Sequence, residues 1–468
     1  MSKEKSEAEL LKEELFMENE HTAKVIDDAE MSVAFEFCEG YKKFLNTCKT
    51  EREATAYAVA AAKEQGFEEF DNTKAYKTGD KIYYVNRGKA IILAVMGKKS
   101  VGEGVRIAAA HIDSPRLDLK PNPLYEDKEI ALFKTHYYGG VKKYQWVTIP
   151  LSLHGVVVKR DGSIVNVNIG ENEGDPQFVI TDLLPHLGKS QMERNAREVI
   201  KGEELNILVG SLPFKSDSGS ELVKLNIMKI LNEKYGIVER DFLTAELEAV
   251  PAMPVSDIGF DRSMIGGYGH DDRVCAYPAL QAIFELDGAP EYTAVTVLAD
   301  KEETGSMGNT GLQSDYLRFF LADLGRAEGL MGRDVLSKSK CLSADVNAAF
   351  DPTFAHVLDP MNASFINKGI VVTKYTGSGG KGGTSDASAE FVGEVARIFD
   401  NGAVNWQLGE LGKVDEGGGG TVAKFIANMN VDVVDVGVPV LSMHSPFEVV
   451  SKLDVYMAKK AFLKFFEA

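Results

Sequence analysis

Apolar and polar positions follow two different periods along this chain, and the places where the period changes divide it. Over residues 3–66 Glu, Lys, Ala and Leu dominate, and apolar residues recur at spacings of three and four, as in Phe35, Cys38, Tyr41, Phe44 and Leu45, which predicts helix. Short apolar runs then take over. Residues 81–85 and 90–95 flank Asn-Arg-Gly-Lys and predict a hairpin, and residues 106–110 form a third, buried strand that delivers the chain to His111. From about 119 to 255 the strand-like runs 156–158 and 164–167 flank a turn at Arg160-Asp161-Gly162, and long helical patterns are few. This stretch predicts a β-rich insertion. Beyond about 260 helix and apolar strand alternate again: 274–284 helical, 294–299 strand, 385–399 helical, 431–438 strand. Parallel strands covered on both faces give such runs, so the outer segments together predict one α/β sandwich interrupted by the insertion. No internal repeat is seen.

Composition narrows the function classes. At 468 residues the chain has room for two or three domains of roughly 150 residues each. Lys plus Arg number 52 against 70 Asp plus Glu, a net charge of −18 with no strongly basic block, which argues against phosphate-driven nucleic-acid binding. The charged opening residues lack the apolar core of a secretory signal, and no run approaches the ~18 apolar residues of a membrane span, so the cytoplasm is the expected compartment and no membrane partner is expected. Cys38, Cys48, Cys275 and Cys341 are too dispersed for a disulfide scaffold or a Cys-x-x-Cys pair and predict free, packed thiols. The glycine runs 377–383 and 417–420 lack the Lys-Ser/Thr ending of a phosphate loop; close backbone approach or positive φ is the expectation.

Five places put hard ligands at abrupt ends of apolar strands or at a helix start. In His111-Ile112-Asp113-Ser114-Pro115, residues two apart in an extended segment share a face, so Asp113 can accept the second imidazole N–H of His111. Asp300-Lys301-Glu302-Glu303-Thr304-Gly305 follows a buried run; adjacent carboxylates there need compensating positive charge, and one can ligate while its neighbour stays free as a base. His270-Asp271-Asp272-Arg273 precedes a helix that its acids could cap. Ser343-Ala344-Asp345 and Ser442-Met443-His444-Ser445 complete the set. Taken singly, each has an ordinary account as a cap, a turn or a solvated acidic loop. Together they supply the histidines and carboxylates of a two-metal site.

In this order the five motifs resemble the aspartyl aminopeptidase family of dinuclear zinc metallopeptidases, as a bacterial member, from about residue 80 to the C-terminus. The resemblance implies a phosphorylase/peptidase-like α/β/α sandwich, with catalytic segments 1–118 and 259–468 and an inserted β-rich dimerisation domain at 119–258. It implies two divalent ions, zinc first with cobalt or manganese acceptable. Asp271 would bridge them, His111 and Asp345 would complete one shell, and Glu303 and His444 the other. Glu302 would be the general base for a metal-bridged water and Asp113 the partner that orients His111. Pro185-His186-Leu187 matches a family segment whose histidine enters the neighbouring subunit's active site and stabilises the oxyanion. Dimers building a homo-dodecamer, and peptides with a free N-terminus as substrates, are implied as well. The other histidines, His21, His136, His154, His270 and His356, are expected to be structural or exposed.

Members of the eukaryotic type carry a histidine near the position of Ala348 and a lysine near Thr373 that recognise an acidic side chain. Here the nearest cations in sequence are Lys368, Lys374 and Lys381, so a strictly acidic preference is not expected. Another dinuclear amidohydrolase or a carboxypeptidase is the rival enzyme, separated by its tolerance of a blocked N-terminus. A non-catalytic assembly protein with structural metals is the rival of another class. An unligated Glu302 beside Glu303 argues against it, since a structural site closes its shell.

Overall fold

The computed structural model describes residues 5–17, 19–216 and 218–468, so residues 3, 4 and 18 of the predicted helical opening lie outside the described residues. That opening is a series of helices, Glu7–Leu15, Thr22–Val25, Asp28–Thr47 and Glu51–Glu64. Side-chain caps at Asp27 and Thr50 start the two longest, by accepting the backbone N–H of Glu30 and Glu53.

Nine strands form the largest sheet, in the order Glu68–Glu69, Lys81–Asn86, Ala90–Val95, Thr293–Ala299, Val105–His111, Lys340–Ser343, Asp432–Gly437, Ile370–Thr373 and Trp406–Leu408. The predicted hairpin pairs antiparallel, Lys81 opposite Val95, and Thr293–Ala299, Val105–His111, Lys340–Ser343 and Asp432–Gly437 run parallel to one another. Alternate residues of these strands feed two separate cores. Ala108, Ala110, Leu298 and Leu342 face helices Asp28–Thr47, His270–Phe284, Ala389–Asn401 and Lys452–Glu467, whereas Ile107, Ala109, Val297 and Cys341 face Tyr316–Ala327, Gly332–Leu336 and Ala423–Ala427. Burial on both faces is why these runs read as continuously apolar.

A third core lies on a seven-stranded antiparallel sheet drawn from Arg116–Asp127 through Ala245–Pro251. Its strands Leu151–Val158 and Ile164–Ile169 close around the predicted Arg160-Asp161-Gly162 turn. Its one long helix among the described residues is Leu222–Tyr235, of 14 residues. Val223, Ile227 and Leu231, spaced by four, pack on the sheet, and Gly236 ends the helix with φ 67°. The helix expected to begin at 385 begins at Ala389, because the Ser388 hydroxyl accepts the Phe391 N–H and caps it there. Strands Asn347–Ala348, Pro439–Leu441, Glu448–Ser451, Met264–Gly267 and Ser256–Ile258 make a third, five-stranded sheet. All four cysteines are free and buried. No helix among the described residues is long and apolar enough to cross a membrane.

Candidate metal centre

The carboxyl ends of the four parallel strands converge, the usual place for a site in an open α/β sheet. His111 ends Val105–His111, Glu302 and Glu303 follow Thr293–Ala299, Asp345 follows Lys340–Ser343, and His444 follows Pro439–Leu441. Asp271 comes from the start of His270–Phe284, across a cis peptide bond to Asp272. The expectation that these acids cap the helix is corrected. Gly269 is the cap residue and makes no side-chain cap bond, while Asp272 accepts the His111 backbone N–H at 3.2 Å. Arg273 is fully buried and donates to Gly269, Cys48 and the Ser114 hydroxyl; Ser114 donates in turn to the Asp271 carbonyl at 2.6 Å, which fixes the turn.

Asp271 stands between the two histidines with one oxygen toward each. His111 Nε2 lies 3.1 Å from Oδ1, and His444 Nε2 3.1 Å from Oδ2. Asp345 Oδ1 is 3.8 Å from His111 Nε2, and Glu303 Oε2 is 3.9 Å from His444 Nε2. Two groups of possible donor atoms result, His111/Asp271/Asp345 and Asp271/Glu303/His444, each with its atoms within 4.8 Å of one another. His111 Nε2, Asp271 Oδ1 and Glu303 Oε1 are buried without an aligned hydrogen bond. Orphaned imidazole and carboxylate atoms that converge in this way suit divalent cations.

The electrostatics agree. Burial is the largest influence on the acids: it pushes Glu302 up to about 7 and holds Glu303 and Asp345 well above the ordinary carboxylate range, with neighbouring carboxylates adding to the shift. At His444 burial opposes the charge, but Asp271 and Glu303 outweigh it and hold the imidazole up at about 10. So crowded a set of acids calls for compensating positive charge.

Asp113 occupies the orienting position. His111 Nδ1 is 3.0 Å from its carbonyl oxygen and 3.3 Å from its Oδ1, while its carboxylate accepts the backbone N–H of Glu302 and of Glu303 and the Tyr138 hydroxyl at 2.7 Å. Glu302 lines the cavity beside the cluster but belongs to neither donor group. His186 is not brought to the cluster; it lies in an exposed turn of the second sheet's domain, beside exposed Leu183, Leu184 and Leu187. Of the histidines expected to be structural or exposed, His270 is buried against the Tyr41 hydroxyl and His154 between Glu53 and Glu171.

The sequence reading missed Glu448, Gly139, Gly140 and Lys424. Buried Glu448 accepts the backbone N–H of both Asp271 and His444, and the Gly140 carbonyl faces His444 Nδ1 at 3.0 Å. A Cβ on Gly139 would stand 2.9 Å from Glu303 Oε2. An acid opening the apolar strand Glu448–Ser451 was the available signal for Glu448. The two glycine runs meet each other: Gly377 donates to the Gly419 carbonyl at 2.6 Å, and a Cβ on Gly418 would lie 1.9 Å from the Gly377 oxygen. Gly418, Gly419 and Gly420 of the second run lie in the cavity wall, which also includes Lys424.

Residues 44–466 match the family described as aminopeptidase I zinc metalloprotease (M18). The probable M18 family aminopeptidase 1 of Clostridium acetobutylicum is 49% identical over 447 residues, covering 94% of this chain and 96% of its own. The crystal structure of the M18 aminopeptidase from Thermotoga maritima superposes with a TM-score of 0.92 at 43% identity, over 96% of this chain and 99% of that one. The Saccharomyces cerevisiae mApe1 dodecamer, at 19% identity over 93% of this chain and 96% of that one, shares the fold with a TM-score of 0.75.

Proposed function

The chain belongs to the M18 family of aminopeptidase I zinc metalloproteases, hydrolases acting on peptide N-termini, and from that premise we propose that its buried cluster is a two-cation catalytic centre. His111, Asp271 and Asp345 would hold one ion and Asp271, Glu303 and His444 the other; zinc would be the ion, with cobalt or manganese suited to the same donors. The observation that carries this reading is the single carboxylate of Asp271 presenting one oxygen toward each histidine. When bound, such a pair acidifies water and polarises the scissile carbonyl.

Glu302 takes the proton of the attacking water and returns it to the departing amine, so no covalent intermediate forms. Its place on the cavity wall, outside both donor groups, supports that role. Asp113 is a positioning residue that fixes the His111 ring and, through two backbone N–H groups, the turn carrying Glu302 and Glu303. We assign catalysis to segments 1–118 and 259–468, in a phosphorylase/peptidase-like α/β/α sandwich, and dimerisation to 119–258. His186 of that insertion acts in a neighbouring subunit as an oxyanion donor; its exposure among uncovered leucines is consistent with use by a second copy. Dimers assemble as a homo-dodecamer, the assembly size described for the mApe1 relative, and act in the cytoplasm on peptides with a free N-terminus.

The test is Glu302→Gln in the metal-loaded assembly. It should retain its metal and lose roughly a hundredfold to ten-thousandfold in turnover, while the parent cleaves free but not N-acetylated peptides. Activity within a few-fold of the parent contradicts the base assignment, and cleavage of the acetylated peptides contradicts the aminopeptidase reading.

A further inference from the structure

One short segment of the seven-stranded sheet's domain touches the cluster at three points. The Tyr138 hydroxyl donates to Asp113 Oδ2 at 2.7 Å, a Cβ on Gly139 would stand 2.9 Å from Glu303 Oε2, and the Gly140 carbonyl faces His444 Nδ1 at 3.0 Å. Tyr138 supplies the one side chain that this segment brings to these contacts, and it ends the strand Ile130–Tyr138. It is not on the wall of the catalytic cavity, so its action on the centre runs through Asp113.

The buried Asp113 carboxylate meets His111 Nδ1 at 3.3 Å, the Glu302 N–H at 3.1 Å, the Glu303 N–H at 3.2 Å and the Tyr138 hydroxyl. His111, Glu302 and Glu303 are residues that Asp113 itself positions. The tyrosine contact is the shortest of the four, a hydroxyl donating to an ionised oxygen, and among them it alone comes from outside the cluster. The ring behind that hydroxyl is held in turn. Tyr138 lies opposite Arg116 in the antiparallel strand pair, and the Arg116 guanidinium stands over the ring, 3.9 Å from its centre. Arg116 is buried and meets carboxylates from three segments: Glu51 of the helix Glu51–Glu64 at 3.4 Å, Asp118 at 2.8 Å, and Glu248 of the strand Ala245–Pro251 at 3.3 Å. A planar cation fixed by three acids and stacked on the ring limits where the hydroxyl can point.

Building on the two-cation reading above, we propose that Tyr138 is a positioning residue for the reaction: its hydroxyl anchors the Asp113 carboxylate to the seven-stranded sheet, and through Asp113 it sets the His111 ring and the turn carrying Glu302 and Glu303. A metal donor and the general base are thereby aligned from a sheet other than the one that carries them. Without the hydroxyl, Asp113 has lost its outside anchor, and the His111 ring and Glu302 lose orientation while the cavity that receives substrate keeps its walls.

The experiment uses Tyr138→Phe, which keeps the ring and its stacking on Arg116, beside Asp113→Asn and the double variant, each as the full chain. In a zinc competition titration Tyr138→Phe should weaken at least one of the two binding steps roughly tenfold to a hundredfold, and the metal-saturated variant should lose a similar factor in kcat with KM within a few-fold of the parent. Because Tyr138 acts through Asp113, adding Tyr138→Phe to Asp113→Asn should change neither quantity by more than about twofold. A tyrosine that only supported the fold would give losses that multiply in the double variant. Zinc affinity or kcat unchanged in Tyr138→Phe, a loss confined to KM, or multiplied losses overturn the proposal. A parent that binds fewer than two ions contradicts the two-cation reading instead, and non-additivity with Asp113→Asn still decides the role of Tyr138.

Discussion

Asp113 and Glu448 belong to neither donor group, yet each accepts two backbone N–H groups from residues that carry the cluster. Such contacts make donor geometry a property of the surrounding loops, and Gly139 shows how little slack they leave. Its φ is +77°, and a Cβ there would press on Glu303 Oε2. Gly139→Ala should therefore carry about 1 to 2 kcal/mol of backbone strain and displace Glu303. Expected are a fold intact by circular dichroism and zinc affinity weakened at least roughly tenfold, as removal of an orienting contact does; unchanged affinity in a zinc competition titration contradicts the argument. At this scale the sequence was informative where a hard ligand interrupts an apolar run, as at His111, Glu302-Glu303 and Asp345. It was silent on Gly139 and Gly140, whose roles depend on partners far away in the chain, and for Glu448 it offered only an acid at the start of an apolar strand.

Among the elements, Asp257 of the strand Ser256–Ile258 ties together two helices that cover the main sheet. Its Oδ1 is 2.9 Å from Lys42 of Asp28–Thr47 and 2.9 Å from Lys452, at the start of Lys452–Glu467, while Oδ2 meets Arg262 at 3.0 Å. Burial alone would raise this carboxyl, but hydrogen bonds from the three cations outweigh it and hold the group well below the usual range. Its contribution is thus fully present above the unfolded-state aspartate pKa of about 4 and fades as pH falls from there toward the lower folded value. Asp257→Asn leaves the Lys452 ammonium buried without its partner and should cost about 3 to 5 kcal/mol at neutral pH. Thermal midpoints should show the gap between parent and variant narrowing below about pH 4; a gap that is constant or widens on acidification refutes the sign. Strands buried on both faces were legible as apolar runs, and the hairpin from its turn. The helix Leu222–Tyr235 escaped because its apolar residues are dense enough to blur the period, and the limits near 385 because a single hydroxyl cap sets them.

For the molecule as a whole, the distribution of function between chains is what a single sequence conveys least, since His186 has no partner within its own subunit's cluster. If it acts across a boundary, Glu302→Gln chains are inactive yet still donate an intact His186, and His186→Ala chains keep a competent centre but lose an oxyanion donor worth roughly 3 to 4 kcal/mol. Dissociating and reassembling the two together should raise activity above either alone. Mixed assemblies verified by mass spectrometry with activity no higher than that of the His186→Ala chains contradict the trans role. Every such statement presupposes the two-cation centre, and Asp271 is where that claim is most exposed. Elemental analysis of the purified assembly, for the parent and for Asp271→Asn, tests it most directly. The account predicts two divalent ions per parent chain, and loss of both from Asp271→Asn together with activity, because one carboxylate serves both sites. Two ions still tightly held by Asp271→Asn would contradict it and make Asp272 the next candidate for the shared carboxylate.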